Sequence, residues 1–314
     1  MNQLKACAIA FGLATTLTSG ALAADPESCQ EIVFSDVGWT DITATTATAS
    51  VILDALGYEP SVEILSVPVT YTSLKSGDVD VFLGNWMPTM EADIAPYRDD
   101  GTVKTLVTNL EGAKYTLAVP KYTFDAGLQS FQDIAKFQTE LDGKIYGIEA
   151  GNDGNRLILD MISGDQYGLG GFELVESSEA GMLSAVSKAV GAKEPIVFLG
   201  WEPHPMNANF EMAYLSGGDD VFGPNYGGAT VHTNVRADLP EECPNLAKLL
   251  TNLVFSLQME NEIMGAILDD GKDPQAAATE WLKANPGTIE PWLAGVTTLD
   301  GGEAMPAVKS ALGM

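Results

Sequence analysis

Three tryptophans stand in polar, turn-rich settings where packing alone does not explain them. They are Trp39 in Asp36-Val37-Gly38-Trp39-Thr40-Asp41, Trp86 in Gly84-Asn85-Trp86-Met87-Pro88-Thr89, and Trp201 in Gly200-Trp201-Glu202-Pro203-His204-Pro205. One tryptophan taken singly is more often core than ligand contact, but three in equivalent settings, reached from separate parts of the chain, favour a shared site. Indole faces break no bonds. They combine negative quadrupole density with a large apolar area, which suits a cation that has no N–H to donate. A trimethylammonium group is such a cation: water hydrates it weakly and carboxylates cannot hydrogen-bond it. Each ring is worth about 0.5 to 2 kcal/mol as the site dries.

Bond-making chemistry finds little support. The sequence has no Gly-x-Ser-x-Gly elbow, no phosphate-cradling Gly-x-x-x-x-Gly-Lys loop and no His-Glu-x-x-His helix. His204 and His232 are its 2 histidines, and no spacing with acidic residues makes a zinc triad. His204 is expected to brace the Trp201 loop. The acid pairs Asp99–Asp100 and Glu241–Glu242 sit beside Gly101 and Pro240 and read as solvated loop charges. Trp281 and Trp292, in an expected C-terminal helix and the loop after it, read as packing. No cofactor is expected, and the chain is not expected to be an enzyme.

The elements that must position these tryptophans alternate strand and helix. Ile32–Phe34, Val62–Val67 and Val79–Leu83 read as strands, and Ala44–Leu56 and Val69–Ser76 as helices closed by Gly57 and Gly77. Further on, Tyr115–Val119, Ile145–Ile148 and Pro195–Leu199 read as strands, with helices over Ser130–Phe137, Arg156–Ile162 and Met182–Val190. Leu239–Met259 and Pro274–Ala284 read as helices. Such alternation predicts an α/β fold with mostly parallel sheets. Each tryptophan follows the carboxyl end of an expected strand, where open α/β sheets place their ligand crevice.

A chain of 314 residues exceeds what one core usually organises and predicts two lobes. The expected division is residues 24–113 and 208–314 in one lobe and 114–207 inserted as the other, with crossings near Gly112–Lys114 and Met206–Glu211. Residues 1–23 read as a secretory signal: Lys5, an apolar run to Thr18, and Ala21-Leu22-Ala23 as the cleavage pattern. Cys7 leaves with it. Cys29 and Cys243 remain in an oxidising compartment and are expected to be joined. The formal net charge of −27 argues against nucleic acid or anionic lipid as partners and favours the approach of cations.

The segments Gly38-Trp39-Thr40-Asp41, Gly84-Asn85-Trp86-Met87-Pro88-Thr89 and Gly200-Trp201-Glu202-Pro203-His204 resemble those of the periplasmic glycine betaine and choline binding proteins of ABC importers, most closely the choline-binding branch. The resemblance implies a two-lobed, type II-like periplasmic binding protein, a monomer that delivers choline to a membrane permease and its ATPase. It also implies an aromatic box of Trp39, Trp86, Tyr115 and Trp201 around the quaternary ammonium, with Asp41 and Asn152 receiving the hydroxyl end. A carboxylate at Asp41 suits an alcohol and repels the acid group of glycine betaine. The turn Gly151–Asn155, opening a helix, keeps a betaine as the alternative, and acetylcholine is a related one.

Overall fold

The computed structural model describes residues 24–314, so the signal segment expected at 1–23 lies outside the described residues. The fold opens with β1 (Glu31–Asp36), which buries Ile32 and Phe34 and leads through Gly38 into α1 (Thr40–Leu56). Small and β-branched residues make up much of α1 (TDITATTATASVILDAL), and nearly all its faces are buried. β2 (Glu59–Ile64) runs parallel to β1 at one edge of the sheet. α2 (Val67–Ser76), β3 (Val81–Met87) and α3 (Glu91–Asp99) follow. The expected strand through Val67 stops at Ile64, because Pro68 fixes a helical φ and begins α2.

β4 (Val103–Pro120) is the longest strand. After it come β5 (Lys144–Tyr146), α4 (Asp153–Ser163), β6 (Glu173–Val175), α5 (Glu179–Ala192), β7 (Phe198–Glu202) and β8 (Met212–Tyr214). The chain then forms β9 (Gly228–Arg236), α6 (Pro244–Asn252), α7 (Leu257–Leu268), α8 (Pro274–Ala284) and α9 (Ala304–Leu312). The helix expected over Leu239–Met259 is instead a short turn at Leu239–Glu242, then α6, then the start of α7. Pro244 has no N–H and disfavours helical backbone at Cys243, so the run breaks there.

The α/β expectation is borne out, but the sheet is mixed rather than mostly parallel. Its order is β2-β1-β3-β9-β4-β7-β5-β6, with β8 added to β4. The β1–β2, β1–β3, β5–β6 and β5–β7 pairs are parallel, while β3–β9, β4–β9, β4–β7 and β4–β8 are antiparallel. The strands of both expected lobes therefore lie on one hydrogen-bonded path, joined through β4 and β9. On one side α1 packs against α7, α8 and α9; on the other α4 covers β6. Cys29 and Cys243 are bonded, with Cα atoms 5.8 Å apart, and tie the start of β1 to the entry of α6.

Candidate ligand site

An Asp36 turn aims Trp39. Its carboxylate accepts from the Gly38 N–H at 2.7 Å and from Thr43 Oγ1 at 2.6 Å, so the loop between β1 and α1 is stitched on both sides. Trp39 then stands at the helix entry, where its Nε1 donates to Glu149 at 2.9 Å. Trp86 lies near the end of β3, just past the register shift between Phe82 and Asn85. Its Nε1 donates to Asp41 Oδ2 at 3.1 Å. Tyr115 and Trp201 face each other as paired residues of β4 and β7.

Four aromatic side chains thus converge: Trp39, Trp86, Tyr115 and Trp201, each no more than 5% exposed. The Tyr115 ring lies 6.0 Å from that of Trp86 and 6.3 Å from that of Trp201, nearly perpendicular to the latter. Together with Asp41, Asn152 and Ile148 they line one small cavity. All six residues named from the resemblance line this cavity, whereas Trp281 and Trp292 do not. Trp292 is buried elsewhere, with Nε1 donating to the Val254 carbonyl.

The polar end of the cavity is built from two further contacts. Asn152 caps α4: its Oδ1 accepts from the Asn155 N–H and from the Tyr115 hydroxyl, both at 2.9 Å. Gly154 makes this possible, since a Cβ there would lie 2.1 Å from the Tyr115 hydroxyl. Asn152 Nδ2 donates to Asp153 at 3.1 Å, leaving its second N–H uncommitted. Asp41, 1% exposed, makes no side-chain cap to α1; its Oδ2 is taken by Trp86 and its Oδ1 has no partner.

Charge around Asp41 is one-sided. Burial pushes its carboxyl well above the ordinary range, and the nearby Glu179 charge adds to the shift. Burial likewise raises Glu260 well above its usual value and Asp153 to about 7. A buried carboxylate oxygen without a donor is costly unless something supplies positive charge or a hydrogen bond. The site therefore favours a small cation with one donor, held by π faces. Among the described residues no group of His, Cys, Asp and Glu could hold a metal ion.

Residues 30–284 match the model of the substrate-binding domain of ABC-type glycine betaine transport systems. The chain belongs to this family. It is 69% identical to a solved ABC-transporter choline binding protein in complex with choline, with a TM-score of 0.91 over 92% of this chain and 100% of that one. The same coverage and identity hold for a choline binding protein in an unliganded semi-closed conformation, but the TM-score is lower, 0.85. An uncharacterised protein of Chromohalobacter salexigens is 57% identical over 129 residues, 41% of this chain and 83% of that protein. Members of this family bind a transported ligand outside the cytoplasm and deliver it to a permease and ATPase; they are binding proteins and not enzymes.

Sequence reasoning missed Glu149 and Glu179, which hold the rim of the site. Glu179 accepts from the Thr40 N–H at 2.8 Å and the Thr40 hydroxyl at 2.5 Å. His204, expected to brace the Trp201 loop, does so: its Nδ1 accepts from the Met206 N–H at 2.9 Å and its ring stands 4.8 Å from the Trp201 ring. Glu149 sits in the loop between β5 and α4 and Glu179 at the first turn of α5, where an acid ordinarily reads as a solvated charge. Nothing local marks them as reaching across the fold.

Proposed function

We propose that this protein captures choline in the periplasm, after removal of residues 1–23, and passes it to the permease of an ABC importer. The single observation that carries this reading is the orphaned Oδ1 of Asp41, a residue that lines a cavity walled by four aromatic rings. In this reading the trimethylammonium sits among Trp39, Trp86, Tyr115 and Trp201. Its hydroxyl donates to Asp41 Oδ1 and accepts the spare N–H of Asn152. The 69% identity to a choline binding protein supports the same ligand.

One lobe comprises 24–113 and the returning C-terminal segment, and the other is the insert. We place the return near Gly228 rather than Met206–Glu211. β8 pairs with Ala118–Pro120 at the far end of β4, and Phe222 packs 6.0 Å from Tyr115 and 5.9 Å from Phe131, which favours the insert for both. Trp39, Asp41 and Trp86 then belong to one lobe, and Tyr115, Asn152 and Trp201 to the other. A ligand that touches both sets stabilises the closed arrangement.

Glycine betaine fits less well, since Asp41 would oppose its carboxylate and the Asn155 N–H is already taken by Asn152. Calorimetric titration with choline, glycine betaine and the uncharged carbon isostere of choline tests the proposal. Choline is expected to bind most tightly. An isostere binding as tightly as choline would remove the cation–π basis, and a tighter betaine would remove the role given to Asp41.

A further inference from the structure

Helix α1 begins without a cap of its own. Its cap position is Trp39, which has no side-chain acceptor, and no side-chain cap bond forms there. The first N–H groups of a helix are orphan donors carrying partial positive charge, and an uncapped terminus is normally filled by a nearby acceptor. Here the acceptor is Glu179, the first residue of α5, reaching over 139 positions of sequence. One carboxylate oxygen takes the Thr40 N–H and the other the Thr40 hydroxyl, and both residues are buried. Glu179 also faces His204 Nε2 at 3.2 Å. Because His204 Nδ1 accepts the Met206 N–H, the ring proton sits on Nε2 and points at Glu179.

We propose that Glu179 is a positioning residue that caps α1 across the cleft and so sets how long a captured ligand stays bound; this rests on the reading of the cavity as a capture site. The contact involves no ligand atom. It runs through His204 to the Trp201 wall on one side, and through Thr40 to Trp39 and Asp41 on the other, so opening the cleft must leave both Glu179 and the α1 terminus to find water. Other bonds also cross the junction, among them Trp39 to Glu149, Arg156 to Asp93 at 2.7 Å and to the Thr89 carbonyl at 3.0 Å, and the exposed Asn209 to Asp269 at 3.0 Å. Arg156 is about a third exposed, however, and its ion pair is screened by solvent in a way that the Glu179 contacts are not.

The test is Glu179→Gln, with Thr40→Val and Thr40→Ser as companions, read by stopped-flow tryptophan fluorescence. Hydrogen bonds to a charged acceptor that are made only in the closed form slow opening, so Glu179→Gln is expected to speed choline dissociation about tenfold. Association should change by less than about twofold, because the encounter precedes closure. Thr40→Val is expected to follow in the same direction and Thr40→Ser to keep the wild-type rate. The distance between dyes on the two lobes, measured without ligand, should lengthen in Glu179→Gln. Unchanged dissociation and unchanged dye distance in Glu179→Gln would overturn the proposal; if that variant does not fold, Thr40→Val dissociating like Thr40→Ser would do so. Failure of the wild type to bind choline would instead count against the ligand reading, while the ligand-free dye distance still decides the cap.

Discussion

Replacing Asp41 by Asn keeps the shape of the side chain and removes its charge. In the charged form, Oδ1 is a free acceptor for a ligand hydroxyl, while Oδ2 stays with Trp86. A hydrogen bond to a charged acceptor is worth about 1.5 to 3 kcal/mol and to a neutral one about 0.5 to 1.5, so the exchange costs about 1 to 1.5 kcal/mol. That corresponds to roughly a five- to fifteenfold loss of choline affinity, and the lost attraction for the cation pushes further the same way. Glycine betaine, relieved of a like charge, should lose less or gain. Burial raises the Asp41 pKa above its ordinary 3.8, so the folded ligand-free protein holds this proton more tightly than the unfolded chain does. Its contribution to stability is therefore best at low pH and declines as pH rises above about 4 until the folded carboxyl itself ionises. Choline, a cation, favours the ionised form, so its affinity should rise with pH over that interval, and Asp41→Asn should flatten this rise. The variant should also melt higher than wild type at neutral pH without ligand. Calorimetry at several pH values with both ligands, and thermal unfolding without them, measure all of this. Equal losses for choline and betaine, together with an unchanged pH profile, would refute the assignment of the hydroxyl to Asp41.

Other consequences are open to direct measurement. Trp201→Ala removes one wall of the box and is expected to weaken choline about tenfold or more in a titration while the protein stays folded. Trp86→Phe keeps a ring but strips Asp41 of its Nε1 donor, so it should raise the pH at which choline binding is half-maximal, read from titrations across pH. Burial holds Asp153 at about 7, so it should make ligand-free stability fall as pH rises from about 4 to 7, and the melting temperature of Asp153→Asn should show a shallower slope there, the remainder belonging to Asp41 and Glu260. Changing both Cys29 and Cys243 to Ser opens a closure spanning 214 residues and should cost up to about 5 kcal/mol in denaturant unfolding, leaving choline affinity within about twofold.

The site was legible where the chemistry sits on rare residues in odd places. Trp39, Trp86 and Trp201 follow glycines at strand ends, and a large aromatic in a polar turn stands out in any sequence. Tyr115, Asp41 and Asn152 do not stand out: each occupies an ordinary strand or helix-start position, and only likeness to known motifs singled them out. β9, and the part of β4 that precedes the expected strand Tyr115–Val119, escaped notice for a related reason. Thr105, Thr108, Asn109 and Lys114 in β4, and Thr230, His232 and Asn234 in β9, dilute the apolar alternation that announces a strand. The antiparallel partners that make these residues strand are more than a hundred positions away. Glu149 and Glu179 were illegible because their meaning comes from what another part of the chain lacks, an acceptor at the Trp39 indole and at the α1 terminus.

β4 and β9 lie side by side through the junction, and their pairing skips between Leu110 and Ala113, where Gly112 adopts a φ of +78°. A two-stranded ribbon flexes readily out of its plane and resists sliding along its length, and a bulge concentrates that flexing at one place. The halves of this molecule are therefore not beads on loose string. If they move as the two lobes proposed above, they swing about one axis, so a receptor on the membrane would have a single angle to sense, and whatever shifts that angle, from cargo to a point mutation far from the rings, would be felt through the same fold line.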